Sequence, residues 1–170
     1  MNRRVLVVVP AWNEQSSIVK VIRELKAHGF DVLVVDDGST DNTYSVSRLA
    51  GAITIRLPFN LGVGAALRCG FKYAVQHGYQ AVVQCDADGQ HPVNHIAVLI
   101  ATAIRENSHM VIGSRFLDDA GKMELSFIRR FAMRILGRSA SRACQTPITD
   151  ATSGFRVIYT PLLNELAEKL

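Results

Sequence analysis

The chain has 170 residues, of which 48% are hydrophobic and 20% charged, a composition that excludes disordered and fibrous proteins. This length predicts one domain over residues 1–170, large enough to bury a substantial core. The longest apolar run, Val5 to Trp12, is too short for a membrane-spanning helix or a signal peptide. Three widely spaced cysteines indicate neither a disulfide framework nor a zinc knuckle, and we therefore expect a reducing cytoplasm.

The net charge of +4 comes from one stretch of the chain. The segment from Leu125 to Ala143 carries five arginines and no acid, so the remainder sums to −1. Four of these recur at every fourth position, which on a helix forms a basic stripe: Arg130, Arg134, Arg138 and Arg142. Such an amphipathic helix suits an anionic membrane surface, and the alternative is a packed helix with a solvated basic face. One stripe does not cover a groove-sized surface, so we expect no nucleic-acid binding.

Strand and helix patterns alternate along residues 4–113. Buried β-branched runs predict five strands, at 4–9, 32–35, 52–57, 80–85 and 110–113. Amphipathic spacing predicts four helices between them, at 14–28, 41–50, 61–77 and 92–106. This alternation predicts an α/β fold with a mostly parallel sheet and helices on both faces.

Polar residues follow each predicted strand. They are Trp12, Asn13 and Glu14 after the first, Asp36 and Asp37 after the second, Asn60 after the third, Asp86 and Asp88 after the fourth, and Ser114 and Arg115 after the fifth. Ligands of open α/β sheets bind beyond the carboxyl ends of the strands. We therefore expect these residues to surround one binding site.

Asp86 and Asp88 are candidate metal ligands, because carboxylates at alternating positions can converge on one side of the backbone. Gln90 continues the same alternation. Hard oxygen ligands with open positions suit Mg²⁺ or Mn²⁺, which take further ligands from water and phosphates. The alternative is a helix cap and a polar loop before Pro92.

Asp36 and Asp37 end the second strand, where a turn needs only one acid. We expect Asp36 to form the turn and Asp37 to contact a ribose hydroxyl or base N–H; the alternative is that both serve the turn and the following helix.

The loop from Asn60 to Gly64 resembles a phosphate loop at a helix N-terminus, although its spacing is not Gly-x-Gly-x-x-Gly. We expect its glycines to allow close approach of a ligand or a neighbouring strand.

Six motifs, in order between about Val5 and Arg156, resemble those of the family 2 glycosyltransferases, and within them the polyprenyl-phosphate glycosyltransferases of the dolichyl-phosphate mannose synthase type. They are Val-Val-Val-Pro-Ala-Trp-Asn-Glu, Val-Val-Asp-Asp-Gly-Ser-Thr-Asp, Asn-Leu-Gly-Val-Gly-Ala-Ala, Asp-Ala-Asp-Gly-Gln-His-Pro, Gly-Ser-Arg and Thr-Asp-Ala-Thr-Ser-Gly-Phe-Arg. Trp12 stands where tyrosine is commoner, a change that preserves stacking on a base.

The resemblance implies a GT-A fold and a metal-dependent, inverting sugar transfer from a nucleoside-diphosphate sugar, a UDP- or GDP-sugar. It implies a base and ribose pocket lined by four residues: Pro10, Trp12, Glu14 and Asp37. It implies that three residues bind the diphosphate and its Mg²⁺ or Mn²⁺: Asp86, Asp88 and Gln90.

The resemblance also implies an acceptor site for a polyprenyl phosphate. Arg115 and Arg134 match arginines that hold the acceptor phosphate, and Asp150 matches the acid of the last motif. An ionised phosphate needs positioning rather than a general base, and arginines position it well. We expect the enzyme to work at the cytoplasmic face of a membrane, contacted through Leu125 to Ala143. Since the chain ends at Leu170, short of the C-terminal helices of many relatives, we expect a truncated or soluble form of the catalytic domain.

Three other functions remain open on the sequence. One is a non-catalytic nucleotide-binding or membrane-associated module, and another is a glycosyltransferase acting on a saccharide hydroxyl. A sugar-phosphate nucleotidylyltransferase shares the sheet and the metal chemistry. It would need a glycine-rich loop with Arg and Lys after the first strand, where this chain has Pro10 to Glu14.

Overall fold

The computed structural model describes residues 4–89, 92–113 and 153–169, which form six strands and five helices. The strands are β1 (Val5–Ala11), β2 (Asp31–Asp36), β3 (Ile53–Arg56), β4 (Ala81–Gln84), β5 (Met110–Ile112) and β6 (Arg156–Tyr159). The helices are α1 (Ile18–Ala27), α2 (Thr43–Leu49), α3 (Val63–Gln76), α4 (Asn94–Arg105) and α5 (Leu162–Lys169). Every element predicted between residues 4 and 113 is present, with ends that differ by up to four residues.

The strands form one sheet in the order β3-β2-β1-β4-β6-β5. The first four run parallel, and β6 is antiparallel to both β4 and β5, so β5 points the same way as the first four. The predicted α/β fold with a mostly parallel sheet is therefore confirmed. Strand β6 is not among the predicted strands, because it is only four residues long and begins at the last residue of a polar motif.

One edge of the sheet carries the ends of the five parallel strands and the start of β6, and is called here the carboxyl edge. It is defined by six residues: Ala11, Asp36, Arg56, Gln84, Ile112 and Arg156. This geometry makes the loops after β1 to β5 and the segment before β6 neighbours, whatever their separation in the chain.

Helices cover both faces of the sheet, as the sequence predicted. The central strand β1 is buried on both sides, with Val7 and Val9 in one apolar cluster and Leu6 and Val8 in the other. Helices α1 and α4 pack into the first cluster, and α3 and α5 into the second. The continuous β-branched run of β1 is typical of such a doubly covered strand.

Helix α3 packs against β1 through a glycine. A Cβ added to Gly70 would lie 2.4 Å from Val8 Cγ1, so only hydrogen fits there. Helix α5 packs along α3 through Leu163 and Ala167. The close packing fixes the height of α3 above the sheet and hence the position of its N-terminus at the carboxyl edge.

We expect Gly70→Ala to lower the free energy of unfolding by about 1–3 kcal/mol, the usual cost of overpacking a core. Gly64→Ala is the matched control in the same helix, because an added Cβ there meets nothing within 4 Å. Alanine at 64 should leave stability unchanged or raise it by up to about 1 kcal/mol, through helix propensity. Urea unfolding followed by circular dichroism measures both, and equal stabilities of the two variants would contradict the close contact.

Candidate functional site

The carboxyl edge brings together the polar segments that the sequence placed after separate strands. The loop after β1 carries Trp12 and Glu14, β2 ends at Asp36 and is followed by Asp37, and β4 leads into Asp86 and Asp88. Trp12 is 53% exposed, Asp88 is exposed and Asp86 is half-buried. One edge therefore offers an exposed indole and carboxylates in adjacent loops.

Asp36 is a fully buried carboxylate that shapes the turn after β2. Its Oδ1 accepts a hydrogen bond from the backbone N–H of Ser39 at 3.0 Å, and its Oδ2 lies 3.4 Å from Nε of Arg56. Arg56, at the end of β3, also donates through Nη2 to the carbonyl oxygen of Ser39 at 2.7 Å. Asp36 thus has the geometry of a turn residue.

The loops after β1 and β2 are joined by hydrogen bonds. The N–H of Asn13 donates to Oγ of Ser39 at 2.9 Å, and the N–H of Glu14 donates to Oγ1 of Thr43 at 2.8 Å. In return, Oδ1 of Asn13 accepts the N–H of Thr40 at 2.9 Å. Asn13 adopts a left-handed conformation with φ of 56°, which asparagine tolerates. These bonds fix the backbone on either side of Trp12 and Glu14.

Asp41 strengthens the same junction from the start of α2. Burial raises its pKa, but hydrogen bonds from the hydroxyl and N–H of Thr43 and from the N–H of Gln15 together outweigh this, and the pKa of Asp41 lies below its usual value. The carboxylate is therefore ionised at neutral pH and available to all three donors.

Asp37 links β2 to the N-terminus of α3. Its two carboxylate oxygens accept the N–H groups of Leu61 and Gly62, each at 2.8 Å, and the residue is only 4% exposed. Gly62 has φ of 90°, a conformation that favours glycine. The amides that a phosphate loop would offer to a ligand therefore bind Asp37 here. A carboxylate has about four acceptor positions, and these two amides use two of them.

The glycine after this acidic pair allows the close approach of a neighbouring segment. A Cβ on Gly38 would lie 2.4 Å from the carbonyl carbon of Phe59 and 2.7 Å from the amide nitrogen of Asn60. The β2 loop and the segment before α3 therefore meet backbone to backbone.

The Asp86 carboxylate packs against the last of the six sequence motifs. A Cβ on Gly154 would lie 2.6 Å from both carboxylate oxygens of Asp86. Ser153 is buried, donates its hydroxyl to the carbonyl oxygen of Gly113 at 2.7 Å, and accepts the N–H of Phe155 at 3.2 Å. The end of β5, the start of β6 and the acidic loop after β4 thus converge.

The donor set after β4 fits a hard divalent cation. Burial, together with the negative charges of Asp86, Asp88 and Glu24, raises the pKa of Cys85 to about 12, so this buried sulfur stays a thiol. The donors at this strand end are therefore carboxylate oxygens, which Mg²⁺ and Mn²⁺ prefer. Within the described ranges, no three His, Cys, Asp or Glu side chains group as a metal site, so other ligands would come from elsewhere.

Several predicted residues lie outside the described residues. These are Gln90, Arg115, Arg134, Asp150 and the basic segment 125–143. Of the others, Pro10 ends up half-buried within β1, and Glu14 accepts the hydroxyl of Ser17 at 2.6 Å. Three residues that support the site were not predicted from the sequence: Arg56, Thr43 and Ser153. Ser153 could have been found, because it lies inside the last sequence motif. Arg56 could not, because a charged residue at the end of a strand is too common to indicate a role.

A groove of about 660 Å³ runs between β3 and α3. Gly64 of the predicted loop lines it together with Ile55, Arg68, Lys72 and Tyr73, but none of the residues predicted to bind the nucleotide or the metal does. No helix in the described part of the chain is both long and apolar enough to cross a bilayer.

A mostly parallel six-stranded sheet, helices on both faces and an acidic loop at its carboxyl edge define a GT-A type fold. The sequence profile described as "Glycosyl transferase family 2" matches residues 6–167, and the chain belongs to this family.

Two relatives have names that refer to dolichyl- or polyprenol-phosphate sugar transfer. The chain is 29% identical over a 187-residue alignment to a UDP-N-acetylglucosamine–dolichyl-phosphate N-acetylglucosaminyltransferase of Methanococcus voltae, with 99% of the chain and 74% of the relative covered. It is 28% identical over 176 residues to a polyprenol monophosphomannose synthase of Mycolicibacterium smegmatis, with 96% and 64% covered. The resemblance to polyprenyl-phosphate glycosyltransferases is thus confirmed.

A solved structure shares the fold. Glucosyl-3-phosphoglycerate synthase from Mycobacterium tuberculosis, in complex with Mn²⁺, UDP-glucose and phosphoglyceric acid, superposes with a TM-score of 0.70 at 22% identity. The match covers 93% of this chain and 57% of that one. The chain therefore spans only part of its relatives, from little more than half of the solved chain to about three quarters of the M. voltae enzyme.

We expect Gly154→Ala to weaken metal-dependent nucleotide binding by about tenfold or more, since the Asp86 carboxylate would have to leave its position. Asp86→Asn, which removes the charge at the same place, should give a similar loss. Isothermal titration of UDP and GDP with and without Mn²⁺ measures the effect. If Gly154→Ala binds both nucleotides like wild type in Mn²⁺, the position of Asp86 is not important for binding.

Proposed function

We propose that this chain is the catalytic domain of a metal-dependent, inverting glycosyltransferase that moves a sugar from a nucleoside-diphosphate sugar to a polyprenyl phosphate. Family membership and the names of the relatives support the reaction class and the acceptor class. The observation that carries the proposal is the meeting of Asp86 with the segment from Ser153 to Phe155 at the carboxyl edge. This contact joins the loop proposed to bind the donor diphosphate with the motif that contains Asp150, a proposed catalytic residue.

The donor nucleoside would bind over the loops after β1 and β2. The exposed indole of Trp12 offers a stacking surface for the base, and Asp37 offers acceptor positions for a base N–H. Pro10 and Glu14 would complete the pocket beside the ribose. The hydrogen bonds between the two loops give this pocket its shape before the ligand arrives.

The diphosphate would lie at the end of β4. Asp86 and Asp88 would hold the cation there, with Gln90 as the next candidate ligand. When bound, Mg²⁺ or Mn²⁺ would stabilise the negative charge that develops on the departing diphosphate. The carboxylates themselves hold the cation in place, because they supply its fixed ligands.

The acceptor side of the proposal rests on the sequence and on the relatives. Arg115 and Arg134 would hold the acceptor phosphate, and Asp150, the acid of the last motif, would be a further catalytic residue. A lipid phosphate lies at a membrane surface, and the arginines between Leu125 and Ala143 would bring the enzyme to an anionic one, at the cytoplasmic face. Arginine suits this role because its planar guanidinium binds phosphate through two parallel hydrogen bonds.

Replacing Asp88 tests the proposed reaction. We expect Asp88→Asn to abolish sugar transfer and to weaken UDP or GDP binding chiefly when Mn²⁺ or Mg²⁺ is present. Asp31→Asn is the matched control, because Asp31 is an exposed acid at the opposite edge of the sheet. The measurements are nucleotide titrations with and without metal, followed by transfer assays with UDP- and GDP-sugars and a polyprenyl phosphate.

Each outcome bears on a different part of the proposal. Near wild-type turnover of Asp88→Asn in Mg²⁺ or Mn²⁺ would exclude Asp88 as a metal ligand. Nucleotide binding without any transfer by wild type would favour the non-catalytic module. Transfer to a saccharide but not to a lipid phosphate would replace the proposed acceptor.

Replacing Arg134 tests the proposed acceptor site separately from membrane binding. With a short-chain, detergent-soluble polyprenyl phosphate, Arg134→Ala should lose far more transfer than the control Arg138→Ala. Arg134→Lys should recover only part of it, because an ammonium cannot bind phosphate through two parallel bonds. Donor binding should be unchanged in all three variants. Wild-type transfer by Arg134→Ala in this assay would leave the basic segment with a membrane role only.

A further inference from the structure

Arg56 reaches from the edge strand β3 into the turn that follows β2. Its Nε lies 3.4 Å from Oδ2 of the fully buried Asp36, and its Nη2 donates to the carbonyl oxygen of Ser39 at 2.7 Å. Its own side chain is 49% exposed, so the guanidinium lies at the boundary between solvent and the turn. One side chain therefore contacts the first and the last residue of the segment from Asp36 to Ser39.

The buried carboxylate of Asp36 depends on this arginine. Its Oδ1 accepts the N–H of Ser39, whereas Oδ2 accepts no hydrogen bond within the described part of the chain and has the Arg56 charge beside it. A buried carboxylate without a counter-charge is unfavourable. Removing the guanidinium would therefore favour rearrangement of the turn toward solvent.

The turn after β2 is connected to both residues proposed to hold the base. Asp37 lies within it, directly after Asp36. Ser39, which Arg56 holds through its carbonyl, accepts the N–H of Asn13 on its hydroxyl, and Asn13 directly follows Trp12. The guanidinium thus contacts Ser39, which is hydrogen-bonded to the loop of Trp12, and Asp36, which directly precedes Asp37.

We propose that Arg56 is a positioning residue for the donor nucleoside, which it serves by holding the loops of Trp12 and Asp37 in their binding geometry. The inference rests on the proposed function, since it takes these two residues as the base pocket. Arginine is required rather than any cation, because the two contacts use two different nitrogens of a planar fork.

Arg48 provides a matched control on the neighbouring helix. The guanidinium carbons of Arg48 and Arg56 both lie 5.8 Å from the ring centroid of Tyr44. Only Arg56 has polar contacts with the turn after β2. Arg48→Ala therefore removes a similar cation from the same ring and leaves the turn intact.

Trp12 makes the test direct, because it is the only tryptophan in the chain. Its fluorescence reports nucleotide binding during titration with UDP and GDP, with and without Mn²⁺, and its anisotropy without ligand reports the mobility of the loop. We expect Arg56→Ala and Arg56→Lys to raise the nucleotide Kd and the donor KM about tenfold, the effect of one lost hydrogen bond. Both should change kcat by less than about threefold and lower the ligand-free anisotropy of Trp12. Arg48→Ala should match wild type in all four quantities.

A purely structural role predicts another pattern. If folded Arg56→Ala or Arg56→Lys has the wild-type Kd, KM and Trp12 anisotropy, with only a lower melting temperature, the positioning role is excluded. Should Arg56→Ala fail to fold, the double variant Asp36→Asn with Arg56→Ala removes the buried charge together with its partner and takes its place. Failure of all three variants to fold would also exclude a specific positioning role.

The same experiment tests the proposed base pocket independently of the role of Arg56. If wild-type Trp12 responds to no nucleoside diphosphate, with or without metal, the base pocket is wrongly assigned. The ligand-free anisotropy still tests the link between Arg56 and the Trp12 loop in that case, and an unchanged value in Arg56→Lys overturns it.

Discussion

The acidic pair at the end of β2 joins three of the five parallel strands, β1, β2 and β3, at the site. The N–H of Asp37 donates to the carbonyl of Ala11 in β1, and its carboxylate binds the N-terminus of α3. Asp36 faces the other way, into the turn and toward Arg56 of β3. Two adjacent acids are needed because consecutive side chains of a strand point to opposite sides, so that each can hold a different neighbour. The arrangement of the loops of Trp12 and Asp37 at the carboxyl edge depends on Asp36 and Asp37 contacting different neighbours.

The antiparallel strand β6 extends the same edge to a segment far along the chain. Because β6 lies between β4 and β5 and runs against both, its first residue lies beside their last. Gly154 therefore lies next to Asp86, although nearly 70 residues separate them in sequence. A parallel strand in this position would bring the same motif to the opposite edge of the sheet. The direction of one short strand thus decides whether the last motif can share a site with the first five.

The fold could be predicted as far as local patterns extend. The β-branched run of β1 and the stripe of Ile18, Val21, Ile22 and Leu25 reflect burial along single elements, and both were interpreted correctly. The place of β6 depends on pairing between distant segments, which periodicity does not encode. In the site, the motifs indicated which residues gather, since strand ends of a parallel sheet coincide. They did not indicate that Asp37 binds the amides of Leu61 and Gly62, because that contact depends on the height of α3 above the sheet.

The proposed metal site has a consequence for how the donor would bind. The described residues offer two carboxylates, one exposed and one half-buried, whereas Mg²⁺ takes about six oxygen ligands. Most of the ligands would then come from water and from the diphosphate itself. A cation held in this way binds weakly to the protein alone and tightly together with the nucleotide, and the linkage is reciprocal. Discrimination between donors would therefore depend on the Trp12 and Asp37 loops, since the cation contacts a diphosphate that all such donors share.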